Sequence, residues 1–387
     1  SNTTPHDNVH KVPLVFVYFA PYNLKIMSIK TAAIIYGGKS TEHEVSIRSA
    51  RNIAKAIDSN QFNTVLIAIG KSGKWFLKTQ DELNHENVVV ESSTQLVLIP
   101  GAIQDQIISL SDQKSIGTID VVFPIVHGTG GEDGSLQGLL KTMNIAFVGP
   151  GVIGSALCID KEVTKRILNE AGIANSAFSS YLKSERHLID FETTKAKLGI
   201  PMYIKPPNLG SSVGISKVTT EAEFYQAIDL ALQFDRKVLI EQNIVGREIE
   251  CAVMGNGDVK ASPMGEVVTN QDSHNFYDYS AKYTDSNGSV TVIPAELDAV
   301  TQDKIREIAI KTYQALCCEG MSRVDVFLTP NGDIYVNEVN SLPGFTDISM
   351  YPKLWGAAGI SYSAVISQLL QLALDRHEEE NEVKTTF

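Results

Sequence analysis

The chain has 387 residues, 43% hydrophobic and 20% charged, with a net charge of -12 and a pI near 5.2. That length suggests two or three domains with a sizeable core, and the acidic balance excludes a broad basic face for nucleic acid. Anionic ligands must be met by local clusters of Lys, Arg and backbone N–H groups, and the four cysteines (Cys158, Cys251, Cys317, Cys318) lack metal-ligand spacing and read as reduced thiols of a cytoplasmic protein.

VPLVFVYFA (12–20) is apolar but far too short to span a bilayer, and Pro21 ends it. One lysine before it and no small-residue cleavage site after it make a poor signal peptide. Residues 1–26 therefore read as an extension outside the fold, which starts near Met27. From there short β-branched runs alternate with amphipathic stretches, the mark of α/β architecture. TAAIIYGG (31–38) is a strand entering a glycine turn. A helix follows with Val45, Ser49, Ile53, Ala54 and Ile57 on one face. In STEHEVS (40–46), Thr41 and Glu44 fit a capping box, which leaves Glu42 at the helix N-terminus, placed to hold a substrate ammonium.

VLIAIG (65–70) and IDVVFPIVHG (119–128) are further strands. The second opens into HGTGGEDGSLQG (127–138), which either brings His127 and a backbone loop to a small anionic substrate or is a plain turn with Asp133 capping a helix. The character changes near Pro150-Gly151. A helix around Lys161–Glu170 and the strand MYIKP (202–206) lead into KPPNLGSSVGIS (205–216). Here the lysine precedes the Gly/Ser segment, the reverse of P-loop order, so the segment is either a flap over phosphates or an ordinary turn. LIEQ (239–242) ends one strand and REIE (247–250) starts the next. Glu241 and Glu248 are candidate nucleoside acceptors, or plain surface acids. FYDYSAKYTDSNG (276–288) is long and aromatic enough for a lid carrying Lys282 and Tyr283, or is a surface excursion. A helix over 298–316 follows, and a polar, acidic tail closes the chain from 376 to 387.

RVDVFLTPNGDIYVNEVN (323–340) is the most informative stretch. Asn331-Gly332 signals a two-residue type I′ hairpin. If Pro330 and Asp333 close it, Asp325 lies opposite Glu338 and Arg323 opposite Asn340, with all four on one face. Val324, Val326 and Leu328 take the other face. Two facing carboxylates repel, and a hard divalent cation such as Mg²⁺ removes the conflict; hydrated surface charges are the alternative. SLPGF follows at once and can present backbone N–H groups beside that face.

Taken together, GGKSTEHEVS, HGTGGEDGSLQG, CIDK, KPPNLGSSVGIS, EQNIVGREIE, YDYSAKY and RVDVFL…NEVNSLPGFT, in that order over residues 27–374, resemble the D-alanine–D-alanine ligases of the ATP-grasp family. The resemblance implies a three-domain ATP-grasp architecture. Residues 27–150 form an N-terminal Rossmann-like substrate domain, 151–242 the central domain, and 243–375 a C-terminal α+β domain with the metal site and lid. It implies ATP contacts at Lys161, Lys205, Ser212, Glu241, Gln242 and Glu248, the last two acids on the adenine and ribose side. Gln242 departs from some members, which carry lysine there. Two Mg²⁺ ions, or Mn²⁺, are implied at Asp325, Glu338 and Asn340. Arg323 and the Gly344 N–H match oxyanion-stabilising positions, Glu42 and His127 contacts to the first D-alanine. Glu42, Ser211 and Tyr283 match a hydrogen-bonded trio, and Lys282, Ser349 and the Met350 backbone the holders of the second carboxylate. The implied reaction is ATP-dependent ligation of two D-alanines through D-alanyl phosphate for peptidoglycan synthesis, by a cytoplasmic homodimer without membrane or nucleic-acid partners. Tyr283 favours the dipeptide. A D-lactate or D-serine ligase, another carboxylate–amine ligase, and a catalytically dead nucleotide sensor are the alternatives.

Overall fold

Strands of a parallel sheet are covered on both faces and need continuous apolar runs. AAIIY supplies one, and in the computed structural model, which describes residues 29–91, 94–210, 213–269 and 289–384, Ala32 to Tyr36 are fully buried. They lie in β1 (Lys30–Gly37), flanked in parallel by β2 (Phe62–Ile69) and β6 (Val121–Ile125). β3 (Trp75–Lys78) runs antiparallel beside β2 and β7 (Ala146–Phe147) parallel beside β6, giving the order β3-β2-β1-β6-β7. A separate hairpin pairs β4 (Leu96–Leu98) with β5 (Ile107–Ser109). Helix α1 (His43–Ala56) covers one face of the main sheet through Ile47, Ala50 and Ile53. The opposite core takes Leu136 and Leu140 of α3 (Ser135–Thr142).

Thr79 and Glu82 form a capping box on α2 (Gln80–His85), but the box expected from Thr41 and Glu44 does not form. α1 begins at His43 with Glu42 as its N-cap and no side-chain cap bond. Thr41 is therefore one position too early to cap, and Glu44 meets Lys71 at 2.7 Å instead. Asp133 is likewise not the cap of α3, whose N-cap is Gly134; its carboxylate accepts from Gly130 and Ser135 N–H groups.

The second sheet is antiparallel, in the order β10-β9-β11-β8. Its strands are β8 (Phe178–Leu182), β9 (Met202–Lys205), β10 (Ser216–Val218) and β11 (Lys237–Gln242). Helices α6 (Phe191–Leu198) and α7 (Glu221–Phe234) close a core around Phe224, Ile204 and Ile240 that draws only on residues 181–240. Helices α4 (Val152–Ile159) and α5 (Lys161–Glu170) precede this sheet in sequence. Their Cys158 and Leu168 pack instead with the third sheet and α8 (Ala299–Ala315).

That third sheet runs β14-β13-β12-β15-β16, all antiparallel. Its strands are β12 (Arg247–Gly255), β13 (Lys260–Thr269), β14 (Ser289–Val292), β15 (Gly320–Leu328) and β16 (Ile334–Asn340). Alternation sends Cys251, Val253, Val324 and Val326 to the α8 side, and Ala252 and Met254 to the other. On that other side lie α9 (Met350–Ala357) and α10 (Tyr362–Glu382). Val365, Leu369 and Ala373 of α10 share a single core with β1, β2, β6 and α1. Arg376 of α10 donates to the carbonyls of Phe147 and Gly149, both at 2.7 Å. Among the described residues no single helix is long and apolar enough to cross a membrane.

The hairpin keeps the expected pairs but reaches them differently. Arg323 pairs with Asn340 and Asp325 with Glu338, yet Val326 pairs with Val336 and Leu328 with Ile334. The tip is a three-residue loop closed between Thr329 and Asp333, with Gly332 left-handed at φ 84° and Asn331 not at positive φ. A type I′ turn needs positive φ at both central residues, so that expectation fails. A bulge between Asp325 and Val326, with Asn337 the extra residue, then restores the expected register.

Candidate active site

Three groups of side chains face one another across the ends of the sheets. The first surrounds β9 and β11. Register places Leu239 against Lys205 and Glu241 against Tyr203, so the lysine and the acid reach the same side. Lys205 Nζ lies 2.5 Å from Glu241 Oε2, and Lys165 Nζ 2.7 Å from Oε1. All three are nearly fully buried. Burial works against the Glu241 charge, but the Lys165 and Lys205 ammoniums override it and bring its pKa down to about 2. Gln242, next on the strand, is exposed and lines a polar groove of about 730 Å³ with Ser179 and Lys197.

Lys161 opens α5, which Asp160 caps by accepting from Glu162 and Val163. This cap aims the Lys161 side chain at two other elements. Its Nζ donates to Leu209 O at 2.9 Å, in the Gly/Ser loop, and lies 3.7 Å from Glu338 Oε2 on β16.

The second group is the face of the hairpin. Glu250, Asp325 and Glu338 lie side by side on β12, β15 and β16. Arg323 relieves their repulsion: it donates to both Asp325 oxygens at 2.7 Å, and its Nε is 2.8 Å from Glu250 Oε2. Asn340 Nδ2 donates to Asp325 Oδ2 at 2.9 Å. Arg323 thus supplies part of the counter-charge that these facing carboxylates need. Among the described residues no group of three or more His, Cys, Asp or Glu is arranged to hold a metal ion.

The third group lies between the first sheet and the loop after β16. Glu42 is buried at the head of α1, and a Cβ on Gly128 or Gly210 would come within 3.1 or 3.2 Å of its Oε2. The β6 loop and the Gly/Ser loop therefore both close on this carboxylate. His127 is buried with no partner at Nε2; burial lowers its pKa and Glu42 opposes that. Glu132 accepts from Gly128 N at 2.6 Å and Leu342 N at 3.3 Å, fastening the first sheet to the loop that carries Gly344. α1 adds two fasteners, Ser49 Oγ accepting from Phe345 N and Asn52 donating to Phe345 O. Ser349 Oγ lies 2.7 Å from where a Cβ on Gly344 would be, and Met350 is buried at the start of α9. A side chain at 344 would force Ser349 Oγ to shift.

Burial, then the Glu42 charge, push the Glu132 carboxyl up to about 8 from 4.5, against the Gly128 and Leu342 N–H groups. The folded state keeps a proton that the unfolded chain releases, so this group's stabilisation is full below about 4.5 and lost as pH rises through about 8. Replacing Glu132 with Gln should remove that slope. The wild-type melting temperature, measured relative to the variant's, is expected to fall between pH 5 and 8; a constant difference would refute the raised value.

Of the residues singled out in the sequence, Lys161, Lys205, Glu241, Arg323, Asp325, Glu338 and Asn340 converge, as do Glu42, His127, Gly344 and Ser349. Glu248 is on β12, two residues before Glu250. Ser211, Ser212, Lys282, Tyr283 and the proposed lid fall outside the described residues, as do residues 1–26. Lys165, Glu250 and Glu132 were not singled out. Lys165 had a signal, being one helical turn beyond Lys161 and hence on its face, and Glu250 shares a strand face with Glu248.

Comparison with known proteins identifies the family. A family profile described as D-ala D-ala ligase N-terminus matches residues 31–150, and one described as D-ala D-ala ligase C-terminus matches 167–371. A curated D-alanine–D-alanine ligase A of Escherichia coli K12 is 50% identical over 361 residues, covering 92% of this chain and 98% of its own. The solved D-alanine-D-alanine ligase from Coxiella burnetii superposes with TM-score 0.79 at 36% identity, over 92% of this chain and 97% of that one. The VanG D-Ala:D-Ser ligase from Enterococcus faecalis superposes with TM-score 0.81 at 35% identity, over 89% and 100%. With both profiles in chain order and half the residues shared with the E. coli protein, this chain belongs to the D-alanine–D-alanine ligase family.

Proposed function

We propose that the chain joins two D-alanines into D-alanyl-D-alanine at the expense of ATP, through D-alanyl phosphate, supplying a peptidoglycan precursor. One observation carries the site assignment: Lys161 at the head of α5 contacts both the Gly/Ser loop at Leu209 and the hairpin acid Glu338. A cation linking a glycine-rich loop to a carboxylate face suits a triphosphate between them. In this reading the segments 151–242 and 243–375 clasp the nucleotide, and 27–150 presents the first substrate.

Lys161 and Lys205 meet phosphate oxygens, and Glu241 and Glu248 accept from the adenine and ribose side, with Ser212 on the flap. Asp325, Glu338 and Asn340 share one face of the hairpin and carry carboxylate and amide oxygens, the hard-donor chemistry that Mg²⁺ takes. Bound there, the ion would supply charge neutralisation. Glu42 holds the ammonium of the first D-alanine, with His127 beside it. The substrate carboxylate attacks the γ-phosphate, giving the acyl phosphate and ADP. The second D-alanine's amine then attacks the acyl carbon, and the tetrahedral oxyanion is stabilised by Arg323 and the Gly344 N–H before phosphate leaves. Ser349, the Met350 backbone and Lys282 hold the second carboxylate. Ser211 and Tyr283 complete the trio with Glu42. A cytoplasmic homodimer is part of the same proposal.

A coupled ADP-release assay tests the reaction. ADP release is expected with D-alanine and Mg²⁺, and little with L-alanine. Mixed product on adding D-serine or D-lactate would move the assignment to the D-serine or depsipeptide ligases. Equal turnover of L-alanine would overturn the stereochemical assignment.

A further inference from the structure

Glu241 is shared by two buried lysines, and only one of them is needed to explain nucleotide contact. Lys205 ends β9 where the Gly/Ser loop begins and meets one carboxylate oxygen; Lys165 comes from α5 and meets the other. Lys165 is 1% exposed, donates to Ser176 Oγ at 2.8 Å and lies 5.9 Å from the Phe178 ring centroid. Its side chain is 2% exposed, and its polar partners are Ser176 and Glu241. A buried charge without a counter-charge is strongly unfavourable, so Lys165 is stable there only through Glu241. Conversely, Glu241 flanked by Lys205 alone would form a closed neutral pair.

We propose that Lys165 is a positioning residue for nucleotide binding, acting through Glu241 by keeping that carboxylate neutralised so that Lys205 is released to a phosphate. The three groups carry a net charge of +1. When a phosphate takes Lys205, Glu241 keeps one partner and is never left as a bare buried carboxylate. Without Lys165 the phosphate has to pull Lys205 from the only cation that Glu241 has. This assignment rests on the nucleotide site proposed above.

The test uses the full chain, with Lys165→Met and Lys165→Arg, and isothermal titration with adenosine, ADP and ATP in the absence of D-alanine. Lys165→Met is expected to weaken ADP and ATP at least tenfold, and adenosine less than threefold. Lys165→Arg, which keeps the charge, should recover most of the loss. In steady state the KM for ATP should rise at least tenfold in Lys165→Met while that for D-alanine changes less than twofold. Melting temperatures report whether the variant folds. Equal weakening of adenosine, ADP and ATP would show a merely structural role and overturn the proposal, as would unchanged ADP affinity or a Lys165→Arg variant no better than Lys165→Met. A wild type that binds ADP with this Lys165 dependence, yet shows no D-alanine-dependent ADP release, would sink the ligase reading and leave the role of Lys165 standing.

Discussion

Replacing Arg323 with Met is expected to destabilise the protein by about 3–5 kcal/mol, the cost of removing one partner from a buried charge network, and to abolish turnover. Arg323 is 16% exposed, and the Asp325 and Glu250 side chains it holds are 2% and 7% exposed. Those two acids are direct cross-strand neighbours on β12 and β15. Without the guanidinium they face each other in a site with little water. Lowering the pH should relieve the defect, because protonating either acid ends the repulsion. The stability gap between wild type and variant should therefore narrow from pH 7 toward pH 5 in denaturant melts. Lys keeps the charge but cannot span both oxygens of Asp325 and Glu250 together, so Arg323→Lys should recover part of the stability and little of the activity. An Arg323→Met variant that melts with wild type at pH 7 would refute this account of the network.

Glu338→Gln is expected to separate activity from folding. Glu338 is 24% exposed, and its contact with Lys161 is long, at 3.7 Å. Its fold contribution is small, since a partly exposed ion pair contributes about 0–1 kcal/mol. As a proposed metal ligand its charge matters when one carboxylate approaches a triphosphate. Loss of several kcal/mol of charge stabilisation, at about 1.4 kcal/mol per decade, corresponds to a fall in kcat of about 10³. Melting temperature should hardly change. A kcat within threefold of wild type would exclude Glu338 from the reaction.

How much of this was legible in the sequence depended on whether a signal was local. The strand at 31–38 and the helix at 161–170 were readable because each carries its own periodicity and its own boundary residues. The pairing of Asp325 with Glu338 was readable because a hairpin's register can be counted from its tip. The bulge left a trace that simple counting passes over. In IYVNEVN the apolar positions fall at 334, 336 and 339, so the alternation skips a beat at Asn337. The capping box failed for the opposite reason. Thr41 and Glu44 have the right spacing, but Lys71 and the buried His43, which bonds Gly38 and Val89, decide where the helix begins. Lys165, Glu250 and Glu132 gain their roles from tertiary placement. Glu132 reaches a backbone N–H 210 residues away at Leu342, and no window along the chain contains both.

The core that the first sheet shares with α10 has a consequence for synthesis. β1, β2 and β6 are all translated by residue 125, yet Val365, Leu369 and Ala373 complete their packing. At about 5–20 residues per second, the first sheet waits roughly 10–50 s on the ribosome with that face uncovered. The second sheet closes its core with its own helices α6 and α7 and has no such wait. Folding during translation is therefore expected to run from the middle of the chain outward, with residues 178–242 settled before the strands that preceded them.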